Sequence, residues 1–182
     1  MACAITAGRK EPCKDSVGGL KAVYFIDYGA LGTASFTAGE ITDLTGTFTA
    51  FKYELRGTSN LEQAINSSRE NGTTFYEQTL TLNLKKQTKE FHNELKLLAA
   101  GRPHIAVEDY NGNVFLVGLE NGADVSGGSI VSGSAMGDRS GYDLTFTGQE
   151  VSPANFVANP TAADPFDGMS SATVTITEGS VI

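Results

Sequence analysis

The stretch at residues 73–84, Thr-Thr-Phe-Tyr-Glu-Gln-Thr-Leu-Thr-Leu-Asn-Leu, decides the fold class of this chain. Its alternate positions divide into two sets. One set is mainly apolar, comprising Tyr76, Gln78, Leu80, Leu82 and Leu84. The other is mainly polar, comprising Phe75, Glu77, Thr79, Thr81 and Asn83. This period of two predicts a β-strand with one face on a core and the other in water.

The period changes directly after this strand. Phe91, Leu95 and Leu98 recur at helical spacing, and Thr88 is placed to cap the first turn with its hydroxyl. Gly101 is expected in the left-handed position that ends many helices, with Pro103 blocking continuation. We expect this to be the chain's single good helix, lying on a sheet or closing the end of a barrel.

Strand signals occupy most of the remaining chain. We predict strands at residues 20–27, 47–56, 59–67, 104–109, 114–119, 142–149 and 172–177, with weaker strand signals at 34–37 and 129–132. Residues 28–45 otherwise look like a loop. The expected fold is mainly β, an antiparallel β-sandwich or barrel with one flanking α-helix. Residues 1–19 are predicted to be an N-terminal arm, 20–150 the β-sandwich domain, and 151–182 an extended C-terminal arm that adds a strand to itself or to a neighbour.

Two of these strands, at residues 20–27 and 114–119, are apolar on both faces. Such a strand must be covered twice. For residues 20–27 we consider two pairs of covers: the core with the helix, or the core with another chain. The second pair predicts a homo-oligomer.

Composition narrows the possible functions. The 182 residues carry a formal net charge of −8, which argues against a protein that grips nucleic acid through its phosphates. No apolar run approaches the length of a membrane span, and the N-terminus lacks the apolar segment of a signal peptide. Cys3 and Cys13 are expected to be unpaired thiols in a reducing compartment, so the chain is expected to fold in a cytoplasm.

We expect neither an enzyme nor a cofactor or metal site. His92 and His104 are the only histidines, and Gly133-Ser134-Ala135-Met136-Gly137 has its serine one place away from the nucleophile-elbow pattern. No P-loop is present, and two cysteines near the N-terminus do not predict zinc. Asp109-Tyr110-Asn111-Gly112-Asn113 resembles the opening of a calcium loop, but Val114 stands where glycine is needed, so we favour a hairpin turn.

Carboxylates on or beside the predicted strands and helix allow two interpretations. The simpler one is that each lies on a solvated face. The sharper one is that some line a shared surface facing something negatively charged. The residues concerned are Glu62, Glu77, Glu94, Glu108 and Glu120.

The order of a long hairpin, a strand, one helix, further hairpins and a final Tyr-Asp-Leu-Thr-Phe-Thr-Gly-Gln-Glu strand resembles that of bacteriophage tail tube proteins. Ser67-Ser68-Arg69-Glu70-Asn71-Gly72-Thr73-Thr74-Phe75 and Gly137-Asp138-Arg139-Ser140-Gly141-Tyr142 are similar to runs in tail proteins of phages that infect Bacteroidetes. The resemblance covers roughly residues 20 to 150.

This resemblance implies a structural protein of the virion tail, assembled in the host cytoplasm. Members of the family form rings, usually hexamers, in which every subunit adds strands to one barrel around a channel. The rings stack into a tube, contact other tail proteins and let genomic DNA pass without specific binding. The alternation then suggests the lumen-facing set, which is Glu62, Asn66, Glu77, Thr79, Thr81 and Asn83.

Two alternatives stay open at this point. One is a tail-terminator, hub or head–tail joining ring of the same fold, which would form single rings without stacking. The other is a virion β-sandwich module that binds sugar or protein. The second lacks an exposed row of aromatic residues, and tryptophan is absent from the chain.

Overall fold

The computed structural model describes residue 5, residues 7–11 and residues 13–179. The fold is mainly β with one flanking helix, and its curled sheets form a half-barrel or sandwich, as the sequence predicts. The elements in chain order are β1 (Leu20–Ile26), β2 (Ala34–Thr37), β3 (Glu40–Leu44), β4 (Gly46–Glu54), β5 (Asn60–Ser68), β6 (Thr73–Lys85), α1 (Lys89–Ala100), β7 (His104–Asp109), β8 (Val114–Val117), β9 (Asp124–Val131), β10 (Gly141–Glu150), β11 (Asn155–Val157) and β12 (Ala172–Glu178).

The strands form two sheets. Sheet A has eight strands in the order β12-β4-β1-β7-β8-β11-β3-β2, and sheet B has four in the order β5-β6-β10-β9. The β12–β4 and β11–β3 pairs are parallel, and all other pairs are antiparallel. Sheet B is therefore an unbroken antiparallel ribbon.

A first core lies between the two sheets. Phe25 of β1 and Phe146 of β10 meet across it, with ring centroids 5.3 Å apart. Leu80 and Leu82 of β6 are fully buried here, which confirms the apolar face predicted for that strand. The apolar side of α1 packs against the same core, where the ring centroids of Phe91 and Tyr142 are 4.7 Å apart.

A second core lies on the opposite face of sheet A. Tyr24 and Ile26 point into it, while Val23 and Phe25 of the same strand point into the first core. The second core is built from strands of sheet A itself, because that sheet curls around it. Phe166 closes it edge-on against Phe48, with ring centroids 5.4 Å apart.

The two cores cover β1 and β8 in a way that the sequence does not predict. Both strands are buried on two sides, but this chain supplies both covers. In β8, Phe115 packs on the first core and Leu116 on the second. A neighbouring subunit is therefore not needed to cover these strands. The helix covers only the margin of the first core, since none of its residues is fully buried.

The segment after residue 151, predicted to add a strand to its own chain or to a neighbour, adds strands to sheet A of its own chain. β11 inserts between β3 and β8, and β12 adds a parallel strand beside β4. Asp43 anchors the start of β12, accepting hydrogen bonds from the backbone N–H of Ser171 at 3.0 Å and from its hydroxyl at 2.5 Å. These hydrogen bonds hold the pKa of the Asp43 carboxyl below its usual value.

The ends of α1 confirm one prediction and correct another. The Thr88 hydroxyl accepts a hydrogen bond from the Phe91 N–H at 3.2 Å, as a capping residue should. Gly101 is not left-handed. Its backbone is extended, with φ −96° and ψ 176°, and its N–H still donates to the Leu97 carbonyl. Pro103 follows two residues later, so the chain leaves the helix directly into β7.

Residues at the N-terminus that the structure describes form neither strand nor helix and are exposed up to Gly19. Cys13 is a free, exposed thiol. Cys3 lies outside the described residues. Within the described part, no helix is long and apolar enough to cross a bilayer.

Candidate functional site

The outer side of sheet B is a mainly polar surface, interrupted by Ala64 and Phe75, which we call the polar face. It consists of the side chains on β5, β6, β10 and β9 that point away from the first core. Register places Glu62 of β5 opposite Thr79 of β6, and Thr79 opposite Thr147 of β10. All six residues predicted to line a lumen lie on this one face: Glu62, Asn66, Glu77, Thr79, Thr81 and Asn83.

Hydroxyl groups occupy the middle of the polar face. Thr79 and Thr81 of β6 stand opposite Thr147 and Thr145 of β10, which makes a block of four threonines. The Ser126 and Thr147 hydroxyls lie 2.7 Å apart and share a hydrogen bond, which extends the block onto β9. Threonine suits this position because its branched Cβ packs well on a pleated sheet. This block of hydroxyl groups is itself polar and uncharged.

A compensated charge cluster lies at one end of the face. Asp143 accepts a hydrogen bond from the Asn83 side-chain amide at 3.1 Å and forms an ion pair with Arg139. Arg139 also donates to the Asn83 side-chain oxygen at 3.2 Å. Because Asp143 and Arg139 neutralise each other, this end contributes polar groups without net charge.

Two carboxylates of the face have no ion pair with any described residue: Glu62, which is exposed, and Glu77, which is half-buried. Lys85, at the end of β6, places one positive charge at the rim. At the opposite rim, Arg102 pairs with Asp124 at 3.5 Å beside a shallow groove of about 420 Å³. The interior of the face is thus mildly acidic.

Sheet B has two edges without a strand partner in the described chain, and at the end of β9 the Gln87 side chain donates to the Val131 carbonyl at 2.7 Å. β5 and β9 each pair on one side only within the described chain. β5 is nine residues long and contains no proline, lysine or register shift, the features that usually block edge pairing. β9 is less regular, with a shift opposite Thr145 and Phe146. Because the directions of β5, β6, β10 and β9 alternate, β5 and β9 are antiparallel to each other.

The hairpin that joins β5 to β6 extends beyond the rest of sheet B. The last residue of β10, Glu150, stands opposite Tyr76, so residues 73–75 of β6 have no partner from β10. Ile65 lies opposite Tyr76, directly beside this overhang, and is 67% exposed. Leu61 and Ile65 alternate onto the same side of β5, but only Leu61 packs on the first core.

Both histidines are engaged by structural partners. His104 is buried, with Nδ1 2.5 Å from the Gly118 carbonyl and Nε2 3.1 Å from the Gly29 N–H. Since a carbonyl can only accept, the proton is on Nδ1 and the ring is neutral. Burial lowers the pKa of His104, although the Gly118 carbonyl and the Glu150 charge oppose that shift. His92 Nδ1 lies 3.1 Å from the Tyr142 hydroxyl.

The sequence 109–113 is a hairpin turn between β7 and β8, as predicted. Asp109 accepts hydrogen bonds from the backbone N–H of Asn111 at 2.9 Å and of Asn113 at 2.8 Å. Burial raises the pKa of Asp109, but these bonds and those from the two side-chain amides outweigh it, so the pKa is lowered. In the described part of the chain, no group of three His, Cys, Asp or Glu side chains is placed to hold a metal ion.

Glu108 contradicts the solvated-face interpretation of the predicted carboxylates. It is buried and forms an ion pair with Lys21, and it accepts a hydrogen bond from the Tyr24 hydroxyl at 3.1 Å. Glu94 and Glu120 are exposed, in line with that interpretation. Glu108 therefore stabilises the β1–β7 pair rather than contributing to a shared acidic surface.

Half of the polar face comes from residues that we did not assign to a lumen. Alternation along residues 142–149 does predict Asp143, Thr145 and Thr147 on a polar side of their strand. Their place beside β6 depends on the pairing of β6 with β10, which joins residues some 60 positions apart.

No family model matches the chain, and searches of curated proteins and of solved structures also gave no match.

Proposed function

We propose that this chain is the subunit of a homo-oligomeric ring, and that such rings stack into a bacteriophage tail tube that conducts DNA. The observation that carries the proposal is sheet B, an antiparallel ribbon with one polar face and two open edges. The resemblance of the sequence to tail tube proteins gives the ring its expected size, a hexamer, and its place in the virion tail.

Edge pairing is the proposed contact between subunits. β9 of one copy would run antiparallel to β5 of the next, so the alternation inside sheet B would continue across the interface. A head-to-tail contact of this kind closes into a ring when the rotation per subunit divides a full turn. Ring closure also protects a long edge that would otherwise risk aggregation.

The polar face is the proposed wall of the bore. Phosphate binding requires lysine or arginine, and this face offers threonine hydroxyls at its centre and the unpaired carboxylates of Glu62 and Glu77. Such a wall stays wetted and repels a polyanion weakly, so DNA would slide along it without being held.

The proposal does not depend on the doubly apolar strands, since this chain covers them itself. It depends on the edges of sheet B, which proline can test. Successive backbone N–H groups of a strand point to opposite sides. One of the two variants Ala64→Pro and Ile65→Pro therefore removes a backbone N–H that points away from sheet B. The other removes a backbone N–H that hydrogen-bonds to β6.

We expect one of these two variants to fold as a monomer that no longer forms rings, measured by circular dichroism and by the mass of the particles in solution. Ala162→Pro, in the exposed loop between β11 and β12 of sheet A, is the control and should still assemble. The proposal fails if the wild-type protein stays monomeric at high concentration, or if the folded β5 variant assembles as before. Single rings that never stack would favour a terminator or adaptor.

A further inference from the structure

Three Asn-Gly steps occur in the chain: Asn71-Gly72, Asn111-Gly112 and Asn121-Gly122. All three lie in turns, and all three glycines have positive φ. They share the same dipeptide chemistry and differ in how the structure holds the asparagine. The chain therefore allows the same Asn-Gly dipeptide to be compared in three structural environments.

The reaction in question is deamidation. The backbone nitrogen of the glycine loses its proton and attacks Cγ of the preceding asparagine, forming a new C–N bond as ammonia leaves. Water then opens the resulting five-membered imide at either carbonyl, which yields aspartate or isoaspartate. Glycine favours the step because it has no side chain to hinder its nitrogen. The asparagine side chain must be free to swing towards that nitrogen.

Asn111 is not free in this sense. Its side-chain oxygen accepts a hydrogen bond from the Val17 N–H at 3.0 Å, and its side-chain nitrogen donates to the Val17 carbonyl at 2.8 Å. The same nitrogen donates to Asp109 at 3.2 Å. Both polar atoms of the amide are thus occupied by fixed partners.

Asn121 is held as firmly, and its glycine is blocked. The side-chain nitrogen donates to the Gln149 carbonyl at 2.9 Å, and the backbone N–H of Asn121 donates to Glu150 at 2.8 Å. Gly122 is buried, and its own N–H donates to the Gly118 carbonyl at 3.1 Å. The attacking nitrogen is therefore already engaged.

Asn71 differs on each of these points. It is exposed at the tip of the β5–β6 hairpin, and its side chain has no hydrogen bond to any described residue. Its backbone N–H donates to the Ser68 hydroxyl at 3.2 Å, which shapes the turn without holding the amide. The Gly72 N–H likewise has no acceptor in the described chain, and Gly72 is exposed. We infer that Asn71 is a site of spontaneous deamidation, which places a new negative charge at the hairpin tip next to Glu70.

The experiment incubates the purified full chain in dilute, mildly alkaline buffer and follows tryptic peptides by mass spectrometry. Cleavage after Arg69 and Lys85 places Asn71 in the peptide 70–85. Asn111 and Asn121 fall together in the peptide 97–139, because trypsin does not cleave before Pro103. Fragmentation assigns the converted residue, and isoaspartate is identified by enzymatic methylation.

We expect Asn71 to convert at least about tenfold faster than Asn111 and Asn121. Each of those must first break two or more hydrogen bonds, and a barrier about 1.4 kcal/mol higher corresponds to a rate about tenfold lower. In denaturant the three rates should converge. Asn71→Gln should leave the peptide 70–85 unchanged in mass over the same period.

Two results would overturn the inference. One is conversion of Asn71 in the native chain no faster than that of the two anchored asparagines. The other is a native rate at Asn71 far below its rate in denaturant, which would show that the folded turn protects it. Particle mass measured in the same dilute buffer separates protection by the folded turn from protection by assembly, so this inference and the proposed function can fail separately.

Discussion

The Tyr24 hydroxyl donates a hydrogen bond to Glu108 Oε2 at 3.1 Å, across the β1–β7 pair and inside the second core. Burial raises the pKa of Tyr24, and the Glu108 charge raises it further, so the phenol keeps its proton and the carboxylate keeps its donor. Lys21 pairs with the other oxygen of Glu108. A buried acid is thereby satisfied on both oxygens at the centre of sheet A.

Tyr24→Phe should destabilise the fold, because it removes that donor and leaves one oxygen of a buried carboxylate unpaired. We expect a loss of about 1 to 3 kcal/mol in the free energy of unfolding, measured with urea. Tyr110→Phe is the matched control, since Tyr110 is half exposed, and it should change the free energy by less than about 0.5 kcal/mol. Equal effects of the two variants would show that the Glu108 contact contributes little.

The helix should depend on one aromatic residue for its attachment. Phe91 is the α1 residue that packs edge-on against both Tyr53 and Tyr142, with centroids 5.6 and 4.7 Å away. Phe91→Ala should cost about 2 kcal/mol, less than for a fully buried phenylalanine because the ring is only partly buried. Leu97→Ala, at a position 67% exposed, should be close to neutral. Hydrogen exchange would check the result, since α1 should lose protection before the strands do.

His104 should make the fold sensitive to mild acid. The folded state lowers the pKa of His104, so the neutral ring is favoured in the native protein. Its stabilising contribution is fully present above the unfolded-state pKa of about 6.5 and is lost as the pH falls below that value. Protonation of Nε2 would also break the hydrogen bond from Gly29.

The measurement is the urea midpoint between about pH 7 and pH 5, above the range in which most carboxylates titrate. The wild type should lose stability across this window, and His104→Gln should lose less. A His104→Gln variant with an unchanged pH dependence would contradict the assignment.

The charge on the polar face should affect the retention of DNA but not the assembly of subunits. Glu77→Lys replaces an unpaired carboxylate of the proposed bore wall with an ammonium group. We expect assemblies to form as before but to retain double-stranded DNA, with a retention that weakens as salt rises. Glu94→Lys makes the same charge change on the exposed side of α1 and should retain none. Loss of assembly in Glu77→Lys without any effect on DNA would mean that the polar face is a subunit contact instead.

Local periodicity explains which elements could be predicted. β6 and α1 have clear periods, and Leu80, Leu82 and Phe91 pack where those periods place them. β3 lies in a segment that looks like a loop in the sequence, because it is five residues long and only Ile41 and Leu44 are apolar. β11 has three residues, too few to show a period.

The second core could not be predicted, because it depends on how sheet A curls. Phe166 and Met169 lie in a stretch punctuated by prolines, which indicates an extended arm when read locally. In the structure both are buried in the second core. The same limit applies to the polar face, whose β6 half was predicted while the adjoining β10 residues depend on a long-range pairing.

The most direct test of the central claim, that copies of this chain close around the polar face of sheet B, is electron microscopy of the purified full chain at high concentration. The claim predicts rings or stacked rings with a central hole, and a map in which Thr79, Thr81, Thr145 and Thr147 line that hole. A protein that stays monomeric, or a ring whose polar face points outward, would contradict it.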